Sequence, residues 1–219
     1  MAGLRIHSVL VTGANRGIGL GLVQHFLGMP TPPQWVFAAC RAPTGQRAQE
    51  LQRLASKHRN LVIIPLEVTD PASIKAAAAQ VGEHLGGSGL TLLINNAGMV
   101  ILNALDNETM EDMTRVYTTN TIGPLLMGQV FLPLLKEAAQ GSPGSPLSCS
   151  RAAIINVSSH GGSISSPAGW DLMQIVSYRC SKPPVTVDES VQGMLKVLSS
   201  LSEKDTGTFL DWEGNGVSW

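Results

Sequence analysis

The chain has 219 residues, 43% of them hydrophobic and 14% charged, with a formal net charge of −1. That apolar content excludes a disordered chain, and the near-zero charge argues against a nucleic-acid partner. One domain with a substantial core is the expectation for this length. Three cysteines, Cys40, Cys149 and Cys180, lack metal-ligand spacing and fit a reducing compartment rather than a disulfide framework or a zinc site.

The stretch from Met1 to Val11 carries Arg5 and His7 and is too short and polar for a signal peptide. No apolar run reaches the roughly 18 residues of a membrane span. The expectation is a soluble, cytoplasmic protein with neither a membrane nor a nucleic acid as partner.

Short β-branched runs alternate with segments of helical period, the pattern of βαβ units and a parallel sheet. Val9-Leu10-Val11 suits a central strand, and Ile18, Leu22, Val23, Phe26 and Leu27 mark a helix stopped by Pro30. Trp35 to Ala39 reads as a second strand, Gln46 to Ser56 as a helix and Leu61 to Leu66 as a third strand. Asp70 and Pro71 open a helix whose core face is Ile74, Ala77, Ala78, Val81 and Leu85.

Leu90 to Ile94 is the fourth expected strand. A long helix over Met110 to Ala139 follows, bent by Pro124 and Pro133. Ala153 to Val157 reads as the fifth strand. Thr186 and Glu189 form a capping box before an apolar stripe ending at Leu201, and Thr208 to Leu210 fits a last short strand.

Between the first strand and its helix lies Thr12-Gly13-Ala14-Asn15-Arg16-Gly17-Ile18-Gly19. Glycines at this junction let the backbone turn tightly and approach a pyrophosphate held at the helix N-terminus. Arg41 follows the second strand, where an acidic residue holds a ribose 2′-hydroxyl and a cation holds a 2′-phosphate. With Arg16 in the glycine turn, two guanidiniums favour NADPH over NADH.

These features and four further motifs resemble the short-chain dehydrogenases/reductases across about Arg5 to Lys182. The further motifs are LEVTD from Leu66, NNAG from Asn95, Asn120 within TTNTIGP, and Ser159 followed by Tyr178-Arg179-Cys180-Ser181-Lys182. LLMGQVFLPLLK, CSRAAIINVSS and TGTFLDWEG are similar to stretches of the C-factor/Sniffer-like carbonyl reductases. The resemblance implies an α/β fold of Rossmann type, a doubly wound parallel sheet in one domain over residues 1–219. Residues 1–182 are its family-like core, and 183–219 an abbreviated C-terminal helix and strand.

It also implies reduction of a small carbonyl compound with NADPH/NADP+. Tyr178 would be the general acid, and Lys182 would lower its pKa and hold the nicotinamide ribose. Ser159 would bind the substrate oxygen, and Asn120 would bend its helix and hold a water beside Lys182. Gly13, Asn15, Arg16, Gly17, Ile18, Gly19 and Arg41 would contact the cofactor. Glu67, Val68, Asn96, Ala97 and Gly98 would line its adenine-ribose side. His160 beside Ser159 is not a base for it, since neighbours on an extended segment face opposite ways. Trp170, Met173 and Ile175 line an apolar pocket or cap the core.

Two departures stand out. Glu67 replaces the family's Asp or Asn. More consequentially, Lys182 runs at once into Pro183-Pro184-Val185, where the family continues its helix into a sixth strand. On the order of 35 residues, one βα unit with its turn, are missing by this comparison. The prolines end the helix at Lys182, so Tyr178 is expected on a terminal turn with little stability of its own. The same loss shortens the helix through which family members form homodimers. A chain that keeps the cofactor but does no chemistry is therefore the alternative reading.

Overall fold

The computed structural model describes residues 5–141, 148–159, 175–179, 181, 196–206, 208, 210 and 213–216. Five strands form one parallel sheet: β1 (Ser8–Thr12), β2 (Trp35–Cys40), β3 (Leu61–Pro65), β4 (Leu92–Asn95) and β5 (Ala153–Asn156). Their spatial order is β3-β2-β1-β4-β5. Register runs from Ser8 opposite Trp35 to Thr12 opposite Ala39, and from Leu92 opposite Ala153 to Asn95 opposite Asn156. The helices are α1 (Gly17–Leu27), α2 (Gln49–Ala55), α3 (Pro71–Leu85), α4 (Met110–Tyr117), α5 (Gly123–Gln140) and α6 (Val176–Arg179). The expected doubly wound Rossmann-type sheet is the observed one.

Side chains alternate across the sheet and build a core on each face. Val9, Val11, Val36, Ala38 and Ile94 face Leu22, Val23, Phe26 and Leu51 from α1 and α2. Leu10, Phe37, Ala39, Ile64 and Leu93 face Ile74, Ala77, Val81, Met127 and Phe131 from α3 and α5. Leu198, in a helical stretch over 196–200, also packs into the first core, as the apolar stripe before Leu201 requires. At the front of α3, Asp70 Oδ1 accepts from the Ala72 amide at 2.9 Å, with Pro71 in the first turn as expected.

The helical stretch over Met110 to Ala139 is present and carries a π-helical turn, Thr118–Ile122, between α4 and α5. Pro124 lies in the first turn of α5 and Pro133 inside that helix. Of the expected last strand, Thr208 to Leu210, Phe209 lies outside the described residues; Leu210 makes an isolated antiparallel bridge with Gly216. The Thr186/Glu189 box and the Pro183-Pro184 junction lie outside the described residues.

Candidate active site

Strand order reverses between β1 and β4, and the turns leaving these two strands meet at their C-terminal ends, the usual ligand crevice of such sheets. Gly13 (φ 65°) and Gly17 (φ 54°) occupy the left-handed region that glycine adopts without strain. Gly19 has no room for a side chain. A Cβ there would lie 2.4 Å from the Gly13 carbonyl oxygen and 2.6 Å from Asn96 Nδ2. A Cβ on Gly17 would meet nothing within 4 Å, so the outer face of the turn is open.

The N-terminus of α1 carries no side-chain cap and no acidic residue in its first turn. Its positive end is therefore available to an anion. Arg16 is exposed and Asn15 half-buried at the rim, while Ile18 turns inward against the first core.

The buried Thr12 hydroxyl locks the two turns together. Thr12 Oγ1 accepts from the amides of Asn96 (3.0 Å) and Ala97 (2.9 Å) and donates to the Ile94 carbonyl. Asn96 Nδ2 in turn donates to the Thr12 carbonyl at 2.9 Å and the Gly13 carbonyl at 3.4 Å. Asn96 thus shapes the glycine turn, with Ala97 packed behind Gly13 and Gly98 exposed beyond it. Thr12 was not among the expected site residues, although a hydroxyl at the last position of a buried strand was the available signal.

Arg41 extends from the end of β2 with its side chain 78% exposed, and its Nη1 lies 3.7 Å from Glu67 Oε2. So loose a surface pair is worth less than about 1 kcal/mol, leaving the guanidinium available to a phosphate. Glu67 Oε1 also accepts from the Thr69 amide at 3.1 Å. Val68 is buried, and its carbonyl and γ2-methyl lie against Gly123 at the start of α5. Its side chain serves the core.

Asn120 sits in the π-helical turn, which aims its amide out of the helix. Its Oδ1 accepts from the Met99 amide at 2.9 Å, and its Nδ2 donates to the Met99 carbonyl at 3.0 Å and to Ser181 Oγ. It thereby ties the turn after β4 to the segment following Tyr178.

Ser159, just beyond β5, has a buried hydroxyl with no hydrogen bond of good geometry among the described residues. It lies beside half-buried Tyr178. Burial pushes the Tyr178 phenol above its ordinary value of 10.0, and the Ser159 hydroxyl opposes part of that rise. The phenol is therefore protonated at neutral pH and able to donate. An orphaned buried hydroxyl beside a protonated phenol suits a carbonyl oxygen that accepts from both. Ile175 is buried. Lys182, His160, Trp170 and Met173 lie outside the described residues. Among the described residues, no group of three His, Cys, Asp or Glu is placed to hold a metal. No described helix is long and apolar enough to cross a membrane.

A profile described as short chain dehydrogenase matches residues 7–186. The chain belongs to the short chain dehydrogenase family. Among relatives, a short chain dehydrogenase of Penicillium aethiopicum is 33% identical over 177 residues, 80% of this chain and 64% of that protein. Human retinol dehydrogenase 5 is 37% identical over 131 residues, 59% of this chain and 39% of that protein. The chain thus spans less than two thirds of the length of either.

An oxidoreductase of Schizosaccharomyces pombe is 26% identical over 251 residues, taking in 95% of this chain and 96% of that protein. Among solved structures, an NADPH-bound carbonyl reductase from chicken fatty liver superposes with a TM-score of 0.95 at 59% identity. The match covers 100% of this chain and 96% of that one. Carbonyl reductase Sniffer of D. melanogaster superposes at 0.90 with 30% identity, covering 98% and 100%. The short chain dehydrogenases are a family of oxidoreductases, and both of these structures are carbonyl reductases.

Proposed function

We propose that the chain reduces a small carbonyl compound, an aldehyde, ketone or quinone, using NADPH. The observation that carries this reading is the pair formed beyond β5, the buried Ser159 hydroxyl beside the protonated Tyr178 phenol of α6. The similarity to an NADPH-bound carbonyl reductase supports the choice of cofactor, as does exposed Arg41 at the end of β2.

In this reading the turn from Gly13 to Gly19 and the N-terminus of α1 hold the pyrophosphate. Arg16 and Arg41 hold the 2′-phosphate, and Asn96 to Gly98, with Glu67 and Val68, border the adenosine side. When bound, NADPH supplies the hydride that goes to the carbonyl carbon. Ser159 Oγ and the Tyr178 hydroxyl hold the carbonyl oxygen, and Tyr178 gives it the proton that completes the alcohol. Asn120 fixes the backbone at Met99 and the hydroxyl of Ser181. Lys182, four positions beyond Tyr178 in sequence, lowers the phenol's pKa and holds the nicotinamide ribose. Placement in the cytoplasm accords with the cysteine usage.

Turnover tests the reading. With quinone, aldehyde and ketone substrates, the wild type should consume NADPH, and Tyr178→Phe should lose at least about 100-fold in kcat while still binding NADPH. Equal rates for the two proteins would defeat it.

A further inference from the structure

The turn that carries Tyr178 is four residues long, far below the length at which a helix holds itself. Its support comes from the segment between β4 and α4. The Val176 amide donates to the Asn103 carbonyl at 3.1 Å. The next amide, Ser177 N–H, donates to Glu108 Oε2 at 3.0 Å across 69 positions of sequence.

The other carboxylate oxygen is also engaged. Glu108 Oε1 accepts from the Thr109 amide at 3.2 Å and from Asn103 Nδ2 at 3.3 Å. Asn103 Nδ2 further donates to Asp112 Oδ2 at 3.1 Å, in the first turn of α4. One residue, Asn103, thus bonds the Tyr178 turn through its carbonyl and orients the Glu108 carboxylate through its amide. Burial works against charge on Glu108. The nearby Ser177 hydroxyl and the N–H groups of Ser177, Asn103 and Thr109 outweigh it, holding the carboxyl below its ordinary value of 4.5. At neutral pH it is ionised and only accepts, which makes these bonds charge-assisted.

We propose that Glu108 is the positioning residue for Tyr178: its carboxylate anchors the turn Val176–Arg179 and so keeps the phenol beside Ser159. This rests on the reading of Tyr178 as the proton donor. Glu108 acts through the backbone of the residue before Tyr178. A sheet-borne residue would need no such anchor. Among the described residues, Ser177 N–H has no partner besides Glu108.

The test uses Glu108→Ala and Glu108→Gln in a Tyr117→Phe background. Tyr117 is half-exposed on α4, and its removal leaves Tyr178 as the only tyrosine of two. Amide exchange at Ser177 should speed by at least about 10-fold in Glu108→Ala, the mark of a locally opened turn. Tyrosinate absorbance should show the Tyr178 pKa falling back toward its ordinary value. Glu108→Gln keeps an acceptor oxygen of the same reach and should restore both readouts most of the way.

In turnover, Glu108→Ala should lose about 10- to 100-fold in kcat, the scale of an ångström of misplacement, with NADPH affinity within about 2-fold of wild type. Should Glu108→Ala fail to melt cooperatively, Glu108→Asp, which withdraws the charge by one methylene, is expected to speed Ser177 exchange in the same way. Wild-type exchange and titration in folded Glu108→Ala, or in Glu108→Asp where Ala does not fold, would overturn the proposal. A wild type that never reduces a carbonyl, but whose exchange and titration respond as stated, would uphold the anchor and defeat the proposed reaction.

Discussion

The sheet from β1 to β4 and the segment from β5 to α6 hold their functional groups in different ways. β1 and β4 are buried at every position and β2 at all but Trp35. The glycine turn and Asn96 extend directly from these strands, and the buried Thr12 hydroxyl joins them. β5 instead alternates between half-buried and exposed, with Ile154 39% exposed, and has no described strand on its outer side. Beyond it, the turn carrying Tyr178 donates single hydrogen bonds, from Val176 N–H to the Asn103 carbonyl and from Ser177 N–H to Glu108. On the proposed reading, the cofactor end is positioned by the core and the proton-donating end by a few polar contacts. Damage to the first should appear as lost stability, and damage to the second as lost rate in a folded protein.

The strongest way to break this contrast is Gly19→Ala. The new methyl meets backbone, at 2.4 Å from the Gly13 carbonyl oxygen, so the turn or α1 must move. A loss of about 3 kcal/mol in denaturant unfolding is expected, together with loss of any cofactor-induced rise in melting temperature. A variant as stable as wild type would show that the turn is not held by the core.

A smaller effect tests how far the core reaches toward β5. Cys149 is buried with the residues of β1 and β2, and burial pushes its thiol from 9.0 up to about 11. Its folded-state pKa is raised, so the stability linked to its proton is complete below pH 9. That contribution is lost as pH rises to about 11. Cys149→Ala should lower stability at neutral pH by leaving a small cavity, yet flatten the fall between pH 9 and 11 by about 2 kcal/mol. An unchanged slope would mean that the approach to β5 is open to water.

The smallest effect sharpens the cofactor end. Arg41→Ala should weaken NADPH binding by about 10-fold, or 1.4 kcal/mol, by removing one charge-assisted contact, and leave NADH binding unchanged. Titration of nicotinamide fluorescence distinguishes the two. Equal weakening of both cofactors would place Arg41 away from the 2′-phosphate.

The strands and α1 to α3 were legible in the sequence because each is governed by local signals: apolar runs, the Asp70-Pro71 start, the glycine spacing. The π-helical turn at Thr118–Ile122 was only half legible. Asn120 gave its place, but the side-chain bonds it makes there go to Met99, 21 positions earlier. Thr12 was visible as part of a motif, yet its role as acceptor of two amides requires β1 and β4 to be neighbours. Glu108 and Asn103 carried no signal at all. Their significance arises only when the loop before α4 meets a turn some 70 positions later, and neither the spacing nor the residue types announce that meeting.

The central claim is that the half built on β1 to β4 is a complete NADPH site carried by a folded core. A thermal melt of the intact chain, alone and with saturating NADPH or NADH, tests it most directly. Ligand at about 100 times its dissociation constant adds roughly 2.7 kcal/mol, a rise on the order of 5 to 10 °C at this size. The account predicts one cooperative transition raised more by NADPH than by NADH. A broad transition indifferent to both would contradict it.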